Sequence, residues 1–169
     1  LFEQLPTMTH PTQALHIPDT QSERDERHLA IQRVGVKDVR YPLRLRVAGA
    51  EQQTAALWNL DVALPAEKKG THMSRFVAWL DGLDAPLDAA VLRDKLGAML
   101  TLLSASEGRI ESRFSFFLRK RAPVSGVQSL LDYQGRWIAE ARAGQTTVWT
   151  EVAVPVKSLC PCSKEISDY

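Results

Sequence analysis

Residues 54–64, TAALWNLDVAL, and residues 71–82, THMSRFVAWLDG, decide the fold between them. In the first, Thr54, Ala56, Trp58, Leu60, Val62 and Leu64 take every second position until Pro65 stops the run, as in a strand with one buried face. In the second, Met73, Phe76, Val77 and Leu80 recur with the period of about 3.6 that marks one face of a helix. Thr71 is placed to cap that helix and Gly82 to end it. The polar loop Glu67-Lys68-Lys69-Gly70 separates the two periods.

Working outward, Leu43, Leu45 and Val47 alternate with Arg44 and Arg46 up to a turn at Ala48-Gly49-Ala50, which makes a long hairpin with the 54–64 strand. On the other side a second helix is expected from about Asp84 and Pro86, with Leu87, Val91, Leu92, Leu96, Met99, Leu100 and Leu103 along one stripe. Beyond Ser104–Gly108, the residues Ile110, Ser112, Phe114, Phe116 and Leu118 alternate with Arg109, Glu111, Arg113, Ser115 and Arg119 in the clearest strand of the chain. Val127–Leu131 and Trp137–Ala141 read as broken strand around a turn at Asp132-Tyr133-Gln134-Gly135, and Val148–Val156 reads as a last strand interrupted by Pro155. The class is α+β: an antiparallel sheet with two helices packed on one face. Residues 1–30, with Pro6, Pro11, Pro18 and the charged run Glu23–Arg27, read as a flexible arm, and residues 31–157 as one folded module.

The chain has 169 residues, 44% of them apolar, enough for a core and too many for a disordered protein. Lys and Arg number 21 against 20 Asp and Glu, a formal charge of +1, so no broad positive field draws in nucleic acid or a membrane surface. No apolar run and no leader pattern argues for a membrane span or export, and a cytoplasmic protein is expected. The start at Leu1 and the stop at Tyr169 read as the ends of a fragment.

Two places carry chemistry. Ser158–Ser167 crowds Cys160, Cys162, Lys164 and Glu165 together, and Lys164 would favour a thiolate able to bind Zn, Fe or Mn. Pro161 between the cysteines limits their convergence on one ion, so one ligand and one neighbouring thiol is the expectation. A pair of plain buried or surface thiols, and a nucleophilic cysteine, remain open. At Gly70–Arg75 the amide groups of a helix N-terminus favour an anion, with His72, Ser74 or Arg75 assisting; simple capping by Thr71 and a solvated Arg75 is the plainer reading. His10, His16 and His28 show no metal spacing. Arg109, Arg113, Arg119, Lys120 and Arg121 read as a solvated strand face, and Trp58, Trp79, Trp137 and Trp149 as packing or subunit contacts.

Three stretches together resemble the type IB GTP cyclohydrolases: Pro18–Ser22 with Val34-Gly35-Val36, then Lys69–Phe76, and above all Ser158–Tyr169, SLCPCSKEISDY. The resemblance runs from about Ile17 to the end, and it implies the tunnelling fold (T-fold), in agreement with the order of elements. It further implies that GTP is converted to 7,8-dihydroneopterin triphosphate and formate, the first step of tetrahydrofolate synthesis. In such enzymes a divalent metal ion makes water nucleophilic enough to attack C8 of the purine. The family motif places a metal ligand at Cys160, with Cys162 close by, and a homo-oligomer, a tetramer, is implied. In that family the pattern continues past the tyrosine with further histidine and acidic residues, and a second tunnelling-fold unit follows. Residues 158–169 are therefore expected to begin the metal-site segment, with the second module absent from the chain. The related tunnelling-fold nitrile reductases of queuosine synthesis, which use a nucleophilic cysteine, and a non-catalytic oligomerisation or metal-binding module are the alternatives.

Overall fold

The computed structural model describes residues 21, 23–156 and 161–166. Most of the expected arm, and Cys160 with Ser158 and Tyr169, lie outside the described residues. Five strands, β1 (Ile31–Val47), β2 (Ala50–Leu64), β3 (Gly108–Arg121), β4 (Gln128–Arg142) and β5 (Gln145–Ala153), form one sheet in chain order. Every neighbouring pair is antiparallel. Helices α1 (Met73–Asp81) and α2 (Ala89–Leu102) sit between β2 and β3 in sequence, and a short α3 (Pro161–Ile166) follows the sheet.

Two hairpins close through the same dipeptide. Ala48 and Gly49 have φ of 49° and 81°, and Ala143 and Gly144 have 50° and 75°. Paired positive φ values turn the chain in two residues with the twist that strands need, so Val47 pairs with Ala50 and Arg142 with Gln145.

One face of the sheet is apolar. The row Trp58, Ser112 and Trp137 crosses β2, β3 and β4, and so does the row Leu60, Ile110 and Ala139. Both rows lie in the core with Leu43 and Leu45 of β1. The helices cover this face: α1 packs near β1 and α2 across β3, β4 and β5. Trp58 meets Trp79 of α1 edge-on, ring centroids 6.1 Å apart, and the Trp79 indole donates to the Lys95 carbonyl of α2 at 3.1 Å. Each large side chain fully buried here contributes about 1.5–3 kcal/mol.

Several expectations need correction. Thr71 does not cap α1; the residue at that position is His72, with no side-chain cap bond. The buried stripe of α1 is Phe76, Trp79 and Leu80, whereas Met73 and Val77 are exposed, because the helix turns its Trp79 side towards Trp58. Helix α2 begins at Ala89, later than Asp84, with the Asp88 carboxylate accepting from the amides of Ala90 and Val91. The residues before it are held extended: Leu87 exchanges backbone bonds with Arg44 and Arg46 on the outer edge of β1. No turn breaks β4 at residues 132–135. There Tyr133 stacks on Phe116, and Gly135 leaves room for the Phe114 ring, which a Cβ would approach to 2.5 Å.

Candidate functional site

Cys162 lies on α3, is exposed and forms no disulfide. Among the described residues no group of three or more His, Cys, Asp or Glu side chains converges as a metal shell would require. Cys162 and the described residues around it therefore do not by themselves fit a bound ion, and a centre would need Cys160 and ligands beyond them.

His72, Ser74 and Arg75 are brought together on the first turn of α1. His72 has extended backbone angles (φ −80°, ψ 104°) and accepts at its carbonyl from the Arg75 amide, while Ser74 is exposed. Arg75 is not simply solvated: its Nη1 donates to the Leu102 carbonyl at 3.2 Å, at the C-terminal end of α2. Lys68 reaches the same helix end and donates to the Ser104 carbonyl at 2.6 Å. Cations there satisfy carbonyls that the helix leaves unpaired. The segment between them, Lys69–Ser74, is thus anchored to α2 on both sides.

The opposite face of the sheet holds what the sequence reading missed. Arg109 and Glu111 are not a solvated pair; their side chains are 19% and 13% exposed and bond to each other at 3.0 Å. Arg136 of β4 donates from Nε to Glu111 and from Nη1 to Glu151 of β5, so a chain of alternating charge crosses three strands. Burial works against the Glu111 carboxylate, but the hydrogen bond and charge of Arg136, joined by Arg109 and Arg113, outweigh it and hold its carboxyl below the ordinary range. At the end of this face a cleft of about 460 Å³ is lined by Arg33, Asp61, Arg109 and Glu140 among others. Burial raises the Asp61 pKa against the opposing charges of Arg33 and Arg109. Alternating Arg and Glu at positions 109–113, opposite Asp61 in β2 and Arg136 in β4, was the available signal, visible only once the strand register is known.

A family model described as type I GTP cyclohydrolase folE2 matches residues 17–169. The chain is 75% identical over 158 residues to the GTP cyclohydrolase FolE2 of Methylibium petroleiphilum, covering 91% of this chain and 53% of that protein. It is 56% identical over 163 residues to the GTP cyclohydrolase FolE2 of Paraburkholderia xenovorans, covering 96% and 61%. It is 56% identical over 156 residues to GTP cyclohydrolase FolE2 2 of Cupriavidus metallidurans, covering 92% and 58%. The chain thus spans between half and two thirds of the length of these relatives.

Proposed function

Because this chain belongs to the type I GTP cyclohydrolase FolE2 family, we propose that it forms part of an enzyme that converts GTP to 7,8-dihydroneopterin triphosphate and formate, opening tetrahydrofolate synthesis. The observation that carries the reading is the 75% identity to a GTP cyclohydrolase FolE2 over nearly the whole chain. The IB subtype is our finer assignment, drawn from the SLCPCSKEISDY segment. A five-stranded antiparallel sheet with its two long helices on one face supports the tunnelling-fold assignment.

Under this reading Cys160 is a ligand of one divalent ion, Zn, Mn or Fe, and Cys162 is its neighbouring thiol. The ion would lower the pKa of a water molecule and so supply a nucleophile near neutral pH. The remaining ligands come from outside the described residues. His72, Ser74 and Arg75 serve the substrate. The first turn of α1 presents the positive end of the helix dipole, which suits the phosphates of GTP. Assembly as a homo-oligomer, a tetramer, belongs to the same proposal. The names of the relatives favour the cyclohydrolase over the nitrile reductase.

The test is turnover by a protein of the relatives' full length. Incubation with GTP is expected to release formate and a fluorescent pterin in equal amounts, and a chelator is expected to stop both. GTP left intact by the metal-replete protein would overturn the assignment.

A further inference from the structure

We propose that residues 23–27 are a strap that positions the substrate-binding turn, with Glu23 and Lys69 as its positioning residues; this rests on the reading of His72, Ser74 and Arg75 as substrate contacts. Arg24 pairs with Lys68 as an isolated antiparallel bridge. Around it the Asp25 amide donates to the Glu67 carbonyl at 3.0 Å and the Lys69 amide to the Glu23 carbonyl at 3.2 Å. Lys69 Nζ also meets the Glu23 carboxylate at 2.8 Å. Gln21 lies over Gly70, 3.6 Å from where a Cβ would stand. The strap is braced within itself, because Arg27 donates from its backbone amide, Nε and Nη2 to the Asp25 carboxylate, which is held below its ordinary pKa by those bonds.

The loop Glu67–Gly70 is thus gripped from two sides. The strap holds its backbone, Lys68 within it reaches the Ser104 carbonyl just past α2, and Arg75 ties the helix that follows to Leu102 at the end of α2. Only Thr71 and His72 separate Gly70 from the first residue of α1, and Thr71 is buried, so little slack remains between strap and helix. A segment so short transmits the position of Lys69 to the first turn. Fixing that turn before substrate arrives lowers the ordering cost of binding without touching the reacting atoms. The role predicted is on KM and not on kcat.

The test uses the full-length protein, steady-state kinetics and hydrogen exchange. Glu23→Lys is expected to speed exchange of the Lys69 amide and to raise KM for GTP, each by about threefold to fivefold, the scale of one exposed ion pair, with kcat within about twofold. The double variant Glu23→Lys with Lys69→Glu restores the pair in reverse and is expected to return both quantities towards their starting values. Unchanged exchange in Glu23→Lys would overturn the strap. Faster exchange with an unchanged KM would overturn its positioning role, and so would a raised KM that the double variant does not rescue. Failure of the substrate reading is seen separately, as an unchanged KM in His72→Ala and Ser74→Ala, while exchange at Lys69 still reports on the strap.

Discussion

The side chain of Gln52 takes the place of a strand neighbour for Phe117: its Nε2 donates to the Phe117 carbonyl at 2.7 Å, and its Oε1 accepts from the Phe117 amide at 3.0 Å. Backbone pairing between β2 and β3 stops at Ala56 and Phe114, so the two hairpins part beyond that row. Gln52 bridges the gap with both bonds that an antiparallel partner would make. Gln52→Leu keeps the bulk and removes the bridge. It is expected to cost about 1–2 kcal/mol, read as a lower urea midpoint with unchanged slope. An unchanged midpoint would mean that water serves Phe117 equally well.

Two glycines should respond in opposite directions. A Cβ on Gly35 would stand 1.9 Å from the Leu60 carbonyl oxygen, backbone that cannot step aside, whereas Gly97 on α2 has nothing within 4 Å. Gly35→Ala is expected to lose more than about 2 kcal/mol, and Gly97→Ala to gain about 0.5–1 kcal/mol from helix propensity. Thermal or urea unfolding of the two variants checks the pair.

The charged face carries two carboxylates of opposite pH signature. The folded-state pKa of Glu111 is depressed, so its contribution is present above the ordinary glutamate value and is lost as pH falls through the folded value. Glu111→Gln should therefore cost stability near neutral pH, with the gap narrowing on acidification. The folded-state pKa of Asp61 is raised, so stability falls as pH rises from the ordinary aspartate value through the raised one. Asp61→Asn should gain stability near neutral pH and show no gain at the acid end. Urea midpoints of both variants from about pH 4 to pH 7 test the signs.

Much of this was legible in the sequence, and the misses share a cause. The alternation of Ile110 to Leu118 and the turn at Ala48-Gly49-Ala50 identify a strand and a hairpin because both signals are local. Asp132-Tyr133-Gln134-Gly135 has the composition of a turn, yet it is strand, because the Phe114 ring uses the space that Gly135 leaves. Likewise the side of α1 that is buried depends on Trp58, distant in sequence, and the Arg109–Glu111–Arg136–Glu151 chain depends on register. His72, Ser74 and Arg75 were read from their helix-start pattern, and the structure places all three at the start of α1. The hold of Arg75 on Leu102 and of Glu23 on Lys69 spans 27 and 46 residues and leaves no local trace.

Ser112 is fully buried on the helix-covered face, and its hydroxyl has no partner among the described residues. Removing an unpaired buried hydroxyl relieves a desolvation cost, so Ser112→Ala is expected to be neutral or to stabilise by up to about 1 kcal/mol. A loss in calorimetric stability would reveal a partner for that oxygen.

The most direct test of the central claim is metal content measured beside formate release in Cys160→Ala and Cys162→Ala variants of the full-length protein. The account predicts that Cys160→Ala loses both the bound divalent ion and formate production, while Cys162→Ala keeps its ion. Full metal occupancy with undiminished formate release in Cys160→Ala would contradict it.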